Sequence, residues 1–233
     1  MLLLGTVASH LVVTFDLPRR RLSRLLFWKR RRIAIVPVGS NVDVAAGVDG
    51  PIGTGTPPTC VLFGQPAAMS VTLVSAVGGW ARRRAGSVRV RWIGRSEADI
   101  RDFWSRACGL PDTLVEVDAG QPAARVSALL AASDLFLAPL VDGVSTRRTT
   151  VIAALAHGLP IVGTDGPCTD DVFRDTEACA LGRPSDGEGF VQRLERLLED
   201  RPARDRMRRA ARSLFEARFT WERIADAYVS HLS

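Results

Sequence analysis

From residue 60 onward, short runs of aliphatic and β-branched residues alternate with segments of helical period, and no other feature constrains the fold as strongly. Residues 60–63, 88–93, 114–117, 135–138, 161–163 and 179–181 read as strands. Most are continuous apolar runs, the pattern of strands covered on both faces. Six such strands separated by helices specify an α/β fold, a Rossmann-like parallel sheet with helices on both faces.

The helices carry their own marks. Pro122 supplies a helix start, with Val126, Leu129 and Leu130 on one face. Ser185-Asp186-Gly187-Glu188 forms a capping-box pattern ahead of Phe190, Val191, Leu194, Leu197 and Leu198. A last helix places Trp221, Ile224, Ala225, Tyr228, Val229 and Leu232 on one stripe behind the cap Thr220, and that stripe is expected to dock. Residues 41–59, rich in Gly, Pro and Thr, read as a loop or hinge. Residues 1–15 are apolar but lack a basic n-region and a small-x-small cleavage site, so residues 11–15 read as a strand.

Composition excludes several classes. With 46% hydrophobic and 24% charged residues in 233, the chain is neither disordered nor a disulfide mini-protein. The four cysteines, Cys60, Cys108, Cys168 and Cys179, show no metal-ligand spacing, so scattered reduced thiols, a cytoplasmic location and no metal are expected. No run of about 18 apolar residues exists to span a membrane.

The net charge of +6 has a local origin. Arg19, Arg20, Arg21, Arg24, Lys29, Arg30, Arg31 and Arg32 form a basic segment without an acid, while the remainder holds 23 basic against 25 acidic residues. Leu22, Leu25, Leu26 and Trp28 fall between these charges, so residues 17–32 have the pattern of an interfacial amphipathic helix. Peripheral contact with the inner membrane face is one expectation, and a solvated helix on a domain edge gives the same pattern. Nucleic acid is not an expected partner, for want of aromatic interleaving. Because Lys29 is the only lysine, arginine abundance is uninformative and position must carry any functional argument.

Position singles out one loop. Ligands of open parallel sheets bind beyond the carboxyl ends of the strands. After the strand at 134–139 comes Val141-Asp142-Gly143-Val144-Ser145-Thr146-Arg147-Arg148-Thr149-Thr150, leading into a helix that ends at His157-Gly158-Leu159-Pro160. Gly143 permits close backbone approach, and Ser145 or Thr146 is expected to cap the helix. Arg147 and Arg148 oppose the helix dipole there, at about 0.3 to 1 kcal/mol each, a sign that a bound anion would reverse. The functional reading is a diphosphate held by the helix N-terminus and both guanidiniums; the bland one is that thirty arginines must be placed somewhere. His157 reads as a helix-end residue, Asp165-Gly166 as a turn and Arg95 as a solvated side chain.

The stretch Ala153-Ala154-Leu155-Ala156-His157-Gly158-Leu159-Pro160-Ile161-Val162 resembles the E-A-x-A-x-G-x-P-V-V segment of group-one (family 4-like) glycosyltransferases. Other segments agree in order: Val36-Pro37-Val38-Gly39-Ser40-Asn41 with that family's hinge, Val61-Leu62-Phe63-Gly64 with its first C-domain strand, and Trp92-Ile93-Gly94 with a later one. Ala132-Ser133-Asp134-Leu135-Phe136-Leu137-Ala138-Pro139 and the tail Phe219-Thr220-Trp221-Glu222-Arg223-Ile224-Ala225 are similar to its A-D-x-x-x-x-P and F-S-W-E-x-x-A motifs. The resemblance implies the C-terminal, donor-binding half of a GT-B fold. Residues 1–35 would be a remnant of the acceptor domain, 36–59 the hinge, 60–217 the nucleotide-sugar domain and 218–233 a final helix.

It also implies a glycosyl transferase that uses a nucleotide-diphosphate sugar as substrate, without metal or cofactor, toward a hydroxyl acceptor in glycan or polysaccharide biosynthesis. Gly64, Asp142, Gly143, Ser145, Arg147 and Arg148 are the expected substrate-binding residues, and an acceptor-domain partner chain the expected companion. Two departures stand out. The family's paired glutamates fall, without gaps, on Ser145 and Ala153, and Asp142 replaces the first only through a three-residue insertion. Where the family places an Arg and a Lys after its first strand, this chain has Gln65-Pro66-Ala67-Ala68-Met69, so Arg147 and Arg148 would compensate. No catalytic base is visible, and one would come from the absent domain; the loss of both glutamates supports the alternative, a degenerate nucleotide-sugar-binding or partner-docking module.

Overall fold

The computed structural model describes residues 8–44, 57–109 and 114–232. An N-terminal unit comprises β1 (Leu11–Val13), α1 (Asp16–Leu25), a 3-10 turn over Phe27–Arg32, and β2 (Ile33–Ile35). The main body then runs β3 (Thr59–Phe63), α2 (Val71–Arg83), β4 (Arg89–Gly94), α3 (Glu97–Cys108), β5 (Glu116–Ala119), α4 (Ala123–Ala131) and β6 (Leu135–Ala138). It continues with α5 (Thr149–Ala156), β7 (Ile161–Thr164), α6 (Asp171–Arg174), β8 (Cys179–Gly182), α7 (Gly187–Glu199), α8 (Arg201–Arg218) and α9 (Trp221–Leu232).

β1 and β2 pair in a two-stranded parallel sheet. All six expected strands join a second, wholly parallel sheet in the order β5-β4-β3-β6-β7-β8. The first strand of that sheet is central, and the chain crosses from β5 to β6 over it. The order therefore reverses between β3 and β6, and the crevice outside their carboxyl ends is the ligand position such sheets provide.

Asp134 explains why β6 starts where it does. Its N–H donates to Thr59 O (2.8 Å) and its carboxylate accepts Thr59 N–H (2.9 Å), pinning the start of β3 to the start of β6. Arg208 of α8 lies 3.6 Å from the other carboxylate oxygen. Desolvation pushes the Asp134 pKa up, against the opposing pull of Thr59 N–H and Arg208.

α5 has no polar face. Every residue from Val151 to Ala156 is buried, because the helix lies between the sheet and α8. Gly158, at φ +64°, ends it in a Schellman turn: Leu159 N–H donates to Ala154 O and Gly158 N–H to Leu155 O, both at 2.9 Å. Arg212 of α8 donates to Ala156 O (2.7 Å), placing a cation on the negative end of the dipole.

Some local readings change. Asp186, not Ser185, caps α7, its Oδ1 accepting Gly189 N–H at 2.8 Å. The basic segment is not one helix: α1 stops at Leu25 because Leu26 turns inward and is buried, and the 3-10 turn follows. The final helix forms with Thr220 Oγ1 accepting Arg223 N–H (3.3 Å), yet its stripe is largely undocked. Ile224 is buried, whereas Trp221, Ala225, Tyr228 and Val229 are exposed, and the Leu232 side chain lies outside the described residues. Most of the 41–59 segment also lies outside them.

His157 caps α5 at its C-terminus. Its Nδ1 lies 2.7 Å from Ala153 O and its Nε2 2.9 Å from Ser127 Oγ, so the buried ring donates at Nδ1 and accepts at Nε2 when neutral. Burial, with Arg212 nearby, lowers its pKa. The unfolded chain therefore takes up a proton near pH 6.5 before the folded chain does, and acid favours unfolding. In urea titrations the native protein is expected to lose up to about 1.4 kcal/mol per pH unit from this group below pH 6.5. His157→Gln should lack that increment; equal slopes in both proteins would show that the ring does not titrate from a neutral buried state.

Candidate functional site

The crevice between β3 and β6 has two stitched walls. Ser70 N–H donates to Pro139 O (2.7 Å) and Val141 N–H to Ala68 O (3.1 Å), tying the loop after β3 to the loop after β6. At the mouth of β3, Gly64 has φ +131°, open to glycine but strained for other residues. Its N–H donates to Ile93 O (3.0 Å) and its carbonyl accepts Trp92 Nε1–H (3.1 Å), so its backbone is held rigidly. A Cβ placed there would lie 3.7 Å from Thr150 Cγ2, which puts Gly64 directly beside the first turn of α5.

Among the described residues, no side chain caps α5. Arg148 occupies the N-cap position through its backbone alone, and the first intrahelical bond runs from Val151 N–H to Arg148 O (3.0 Å). The N–H groups of Thr149 and Thr150 precede that bond, leaving the positive end of the helix turned toward Gly64.

Neither expected cap residue performs that task. Ser145 is fully buried, its Oγ without a partner among the described residues and its carbonyl taking Arg148 N–H (3.0 Å). Thr146 faces Asp170, donating its N–H (2.6 Å) and its hydroxyl (2.7 Å) to the same carboxylate oxygen. Gly143 is also buried. With φ +94° it lets the loop pack on the one after β7: a Cβ there would fall 2.1 Å from Thr169 Oγ1 and 2.6 Å from Gly166 N. Its close approach is thus to protein, and Gly143 and Ser145 form the floor of the loop.

Asp142, Arg147 and Arg148 come together above that floor. Both guanidiniums grip the one carboxylate, Arg148 at 2.5 Å and Arg147 through the other oxygen. All three side chains are partly exposed, at 27%, 35% and 22%. Arg147 also stacks on Phe15, its guanidinium carbon 4.6 Å from the ring centroid. The pair therefore sits where the loop before α5 meets the N-terminal unit, with an internal anion between its members.

Sequence reasoning missed what holds this arrangement. Asp170 is buried, and besides Thr146 it accepts Asp16 N–H (2.6 Å). Asp16 in turn accepts Asp171 N–H (3.2 Å), so each aspartate serves the N-terminus of the other's helix. The run Thr169-Asp170-Asp171 before Val172-Phe173 is a capping signal that the sequence contained. Elsewhere, Arg95 is exposed and Asp165 pairs with Arg174 (2.7 Å) at the surface. Among the described residues no group of three His, Cys, Asp or Glu could hold a metal ion.

A family model described as glycosyl transferases group 1 matches residues 66–200. The chain belongs to that family. Solved structures agree on its fold. The chain aligns over 96% of its length with 57% of sucrose-phosphate synthase from Thermosynechococcus elongatus, at 18% identity and a TM-score of 0.72. It aligns over 99% of its length with 64% of HepE from Anabaena, solved with UDP and glucose, at 14% identity and a TM-score of 0.71. The C-terminal domain of the group 1 protein LpcC from Francisella tularensis matches 69% of the chain and 85% of its own, at 14% identity and a TM-score of 0.55. No curated protein sequence matches. The expected GT-B architecture is borne out, and this chain spans only 57% and 64% of the first two structures.

Three variants test the geometry. Asp170→Ala would leave two buried N–H donors, those of Thr146 and Asp16, unpaired, while the Thr146 hydroxyl keeps Thr14 O (2.6 Å), and is expected to destabilise by about 2 kcal/mol or more in denaturant unfolding. A loss under about 1 kcal/mol would remove Asp170 as the anchor. Asp142→Asn frees both guanidiniums and is expected to tighten inorganic pyrophosphate binding about tenfold, whereas Arg147→Ala/Arg148→Ala weakens it by at least about as much. Unchanged binding in the double variant would rule the pair out of the anion site.

Proposed function

We propose that this chain is the donor-binding half of a glycosyltransferase, moving a sugar from a nucleotide-diphosphate sugar to a hydroxyl acceptor in glycan or polysaccharide biosynthesis. The observation that carries the reading is the uncapped N-terminus of α5 facing Gly64 across the point where strand order reverses. A diphosphate there meets free N–H groups, the positive end of a helix and a backbone without a side chain. Arg147 and Arg148 stand next to it and would exchange the Asp142 carboxylate for phosphate oxygens.

In the reaction the anomeric C–O bond to the diphosphate breaks, a bond to the acceptor oxygen forms and the acceptor hydroxyl loses its proton. This chain's share is to orient the donor and stabilise the charge that gathers on the leaving diphosphate. The group receiving the proton would come from an acceptor half, a partner chain or segment packed on the N-terminal unit. The parallel pair β1–β2 supports that, since two strands alone seldom make a stable sheet.

One observation favours a second reading, a nucleotide-sugar-binding module without turnover. Ala153, which stands where the resemblance expects a ribose-binding glutamate, is fully buried in α5 and has no side-chain acceptor.

Calorimetric titration with a panel of nucleoside-diphosphate sugars, followed by assays for donor hydrolysis and transfer, separates the two. Binding with slow hydrolysis, and transfer once an acceptor half is added, is the expected result. Binding without either reaction would support the module. Failure of every nucleoside diphosphate to bind would overturn both.

A further inference from the structure

The N-terminal unit displays a surface that the donor site does not use. At the end of α1, Leu26 turns inward and is buried, while its neighbours Leu25, Phe27 and Trp28 stand 56%, 69% and 59% exposed. Three large apolar side chains within four residues thus face outward, and the Phe27 and Trp28 rings meet edge to face at 5.1 Å. Scattered single exposures need no explanation, but a contiguous cluster does.

The segment that carries the cluster, residues 17–32, holds basic residues and no acid. Arg19 and Arg20 are engaged by Asp16 and Asp171. Arg21, Arg24 and Arg32 are exposed and have no carboxylate partner among the described residues. Arg21, Arg24 and Leu25 fall at i, i+3 and i+4 and share one side of α1. No helix among the described residues is long and apolar enough to cross a membrane.

We propose that Leu25, Phe27 and Trp28, with Arg21 and Arg24 on the same side of α1 as Leu25 and Arg32 at the end of the following turn, form a docking surface for an anionic lipid bilayer. Aromatic side chains with apolar bodies partition to the headgroup boundary, and arginines beside them are drawn to acidic headgroups within a Debye length. A protein partner would have to bring a matching acidic face to the guanidiniums of Arg21, Arg24 and Arg32; an acidic bilayer supplies one without specific contacts. The surface lies on the helix whose first residue, Asp16, is bonded to Asp170, so docking would also fix the donor loop relative to the membrane plane. The docking surface does not use the donor site, but it requires this face of the N-terminal unit to stay clear of the proposed acceptor half.

Sedimentation of the full chain with vesicles tests it. Binding to phosphatidylcholine mixed equally with phosphatidylglycerol is expected, with little to phosphatidylcholine alone and marked weakening at high salt. Arg21→Ala/Arg24→Ala should weaken partitioning about 25-fold. Phe27→Ala/Trp28→Ala, at exposed positions, should abolish it with the circular dichroism spectrum unchanged. Brominated lipid should quench tryptophan fluorescence in the native chain and in Trp221→Phe but far less in Trp28→Phe. Equal binding to neutral vesicles, full binding by the aromatic double variant, or self-association that this variant abolishes would overturn the proposal, the last marking a protein interface instead.

Discussion

One buried carboxylate organises the molecule around its candidate site. Asp170 accepts two hydrogen bonds from Thr146 and one from Asp16, and Asp16 returns a bond to Asp171. Two helix N-termini, those of α1 and α6, are thereby neutralised by each other's aspartates. Partly buried charges at helix ends are worth up to about 2 kcal/mol, more than the exposed ion pairs on the same helix. Because Thr146 is consumed in this contact, it cannot cap α5, and the positive end of that helix is left for something else. The same contact sets Arg147 against Phe15, joining the loop before α5 to the N-terminal unit.

The sheet was legible because strands covered on both faces must be apolar almost throughout, and no long-range information is needed to recognise them. Leu135–Ala138 matches its expected limits, and the other five differ by one or two residues at an end, where pairing partners decide how far a strand runs. The loop before α5 was legible only in outline. Its position followed from topology and its charges from the sequence, but the partner of Thr146 lies 24 residues onward and that of Asp16 lies 154 residues away. Local rules assigned the cap to Ser145 or Thr146 because both are good caps; tertiary contacts buried one and bonded the other. The last helix failed in another way. Its periodicity is real, yet period alone cannot say whether a stripe is covered, and here Ile224 alone of its described side chains is buried.

Arginine illustrates why position outweighs abundance. Arg212 donates to Ala156 O at the end of α5, and Arg204 donates to Leu197 O (2.6 Å) and Leu198 O (2.5 Å) at the end of α7. Both complement a negative helix end, as the dipole requires. Arg147 and Arg148 alone of these stand at a positive end. Their opposition to the dipole is removed within the fold by Asp142, which answers the objection that such charges are merely tolerated: the chain supplies them with a dedicated counter-charge.

That counter-charge bears on the proposed function. Two guanidiniums facing each other over a partly buried loop, with no carboxylate, would repel whenever the anion seat was empty, and the loop would pay in order or stability. Asp142 prevents this, at the cost that an incoming diphosphate must displace it. The exchange can still favour the ligand, because a diphosphate offers more charge and more acceptor oxygens than one carboxylate, while the displaced Asp142 side chain, already 27% exposed, can complete its hydration. A monoanion brings no such surplus. Under the proposed function, Asp142 would therefore act as a threshold that admits diphosphates over singly charged anions, a selectivity that two unmasked arginines would not provide.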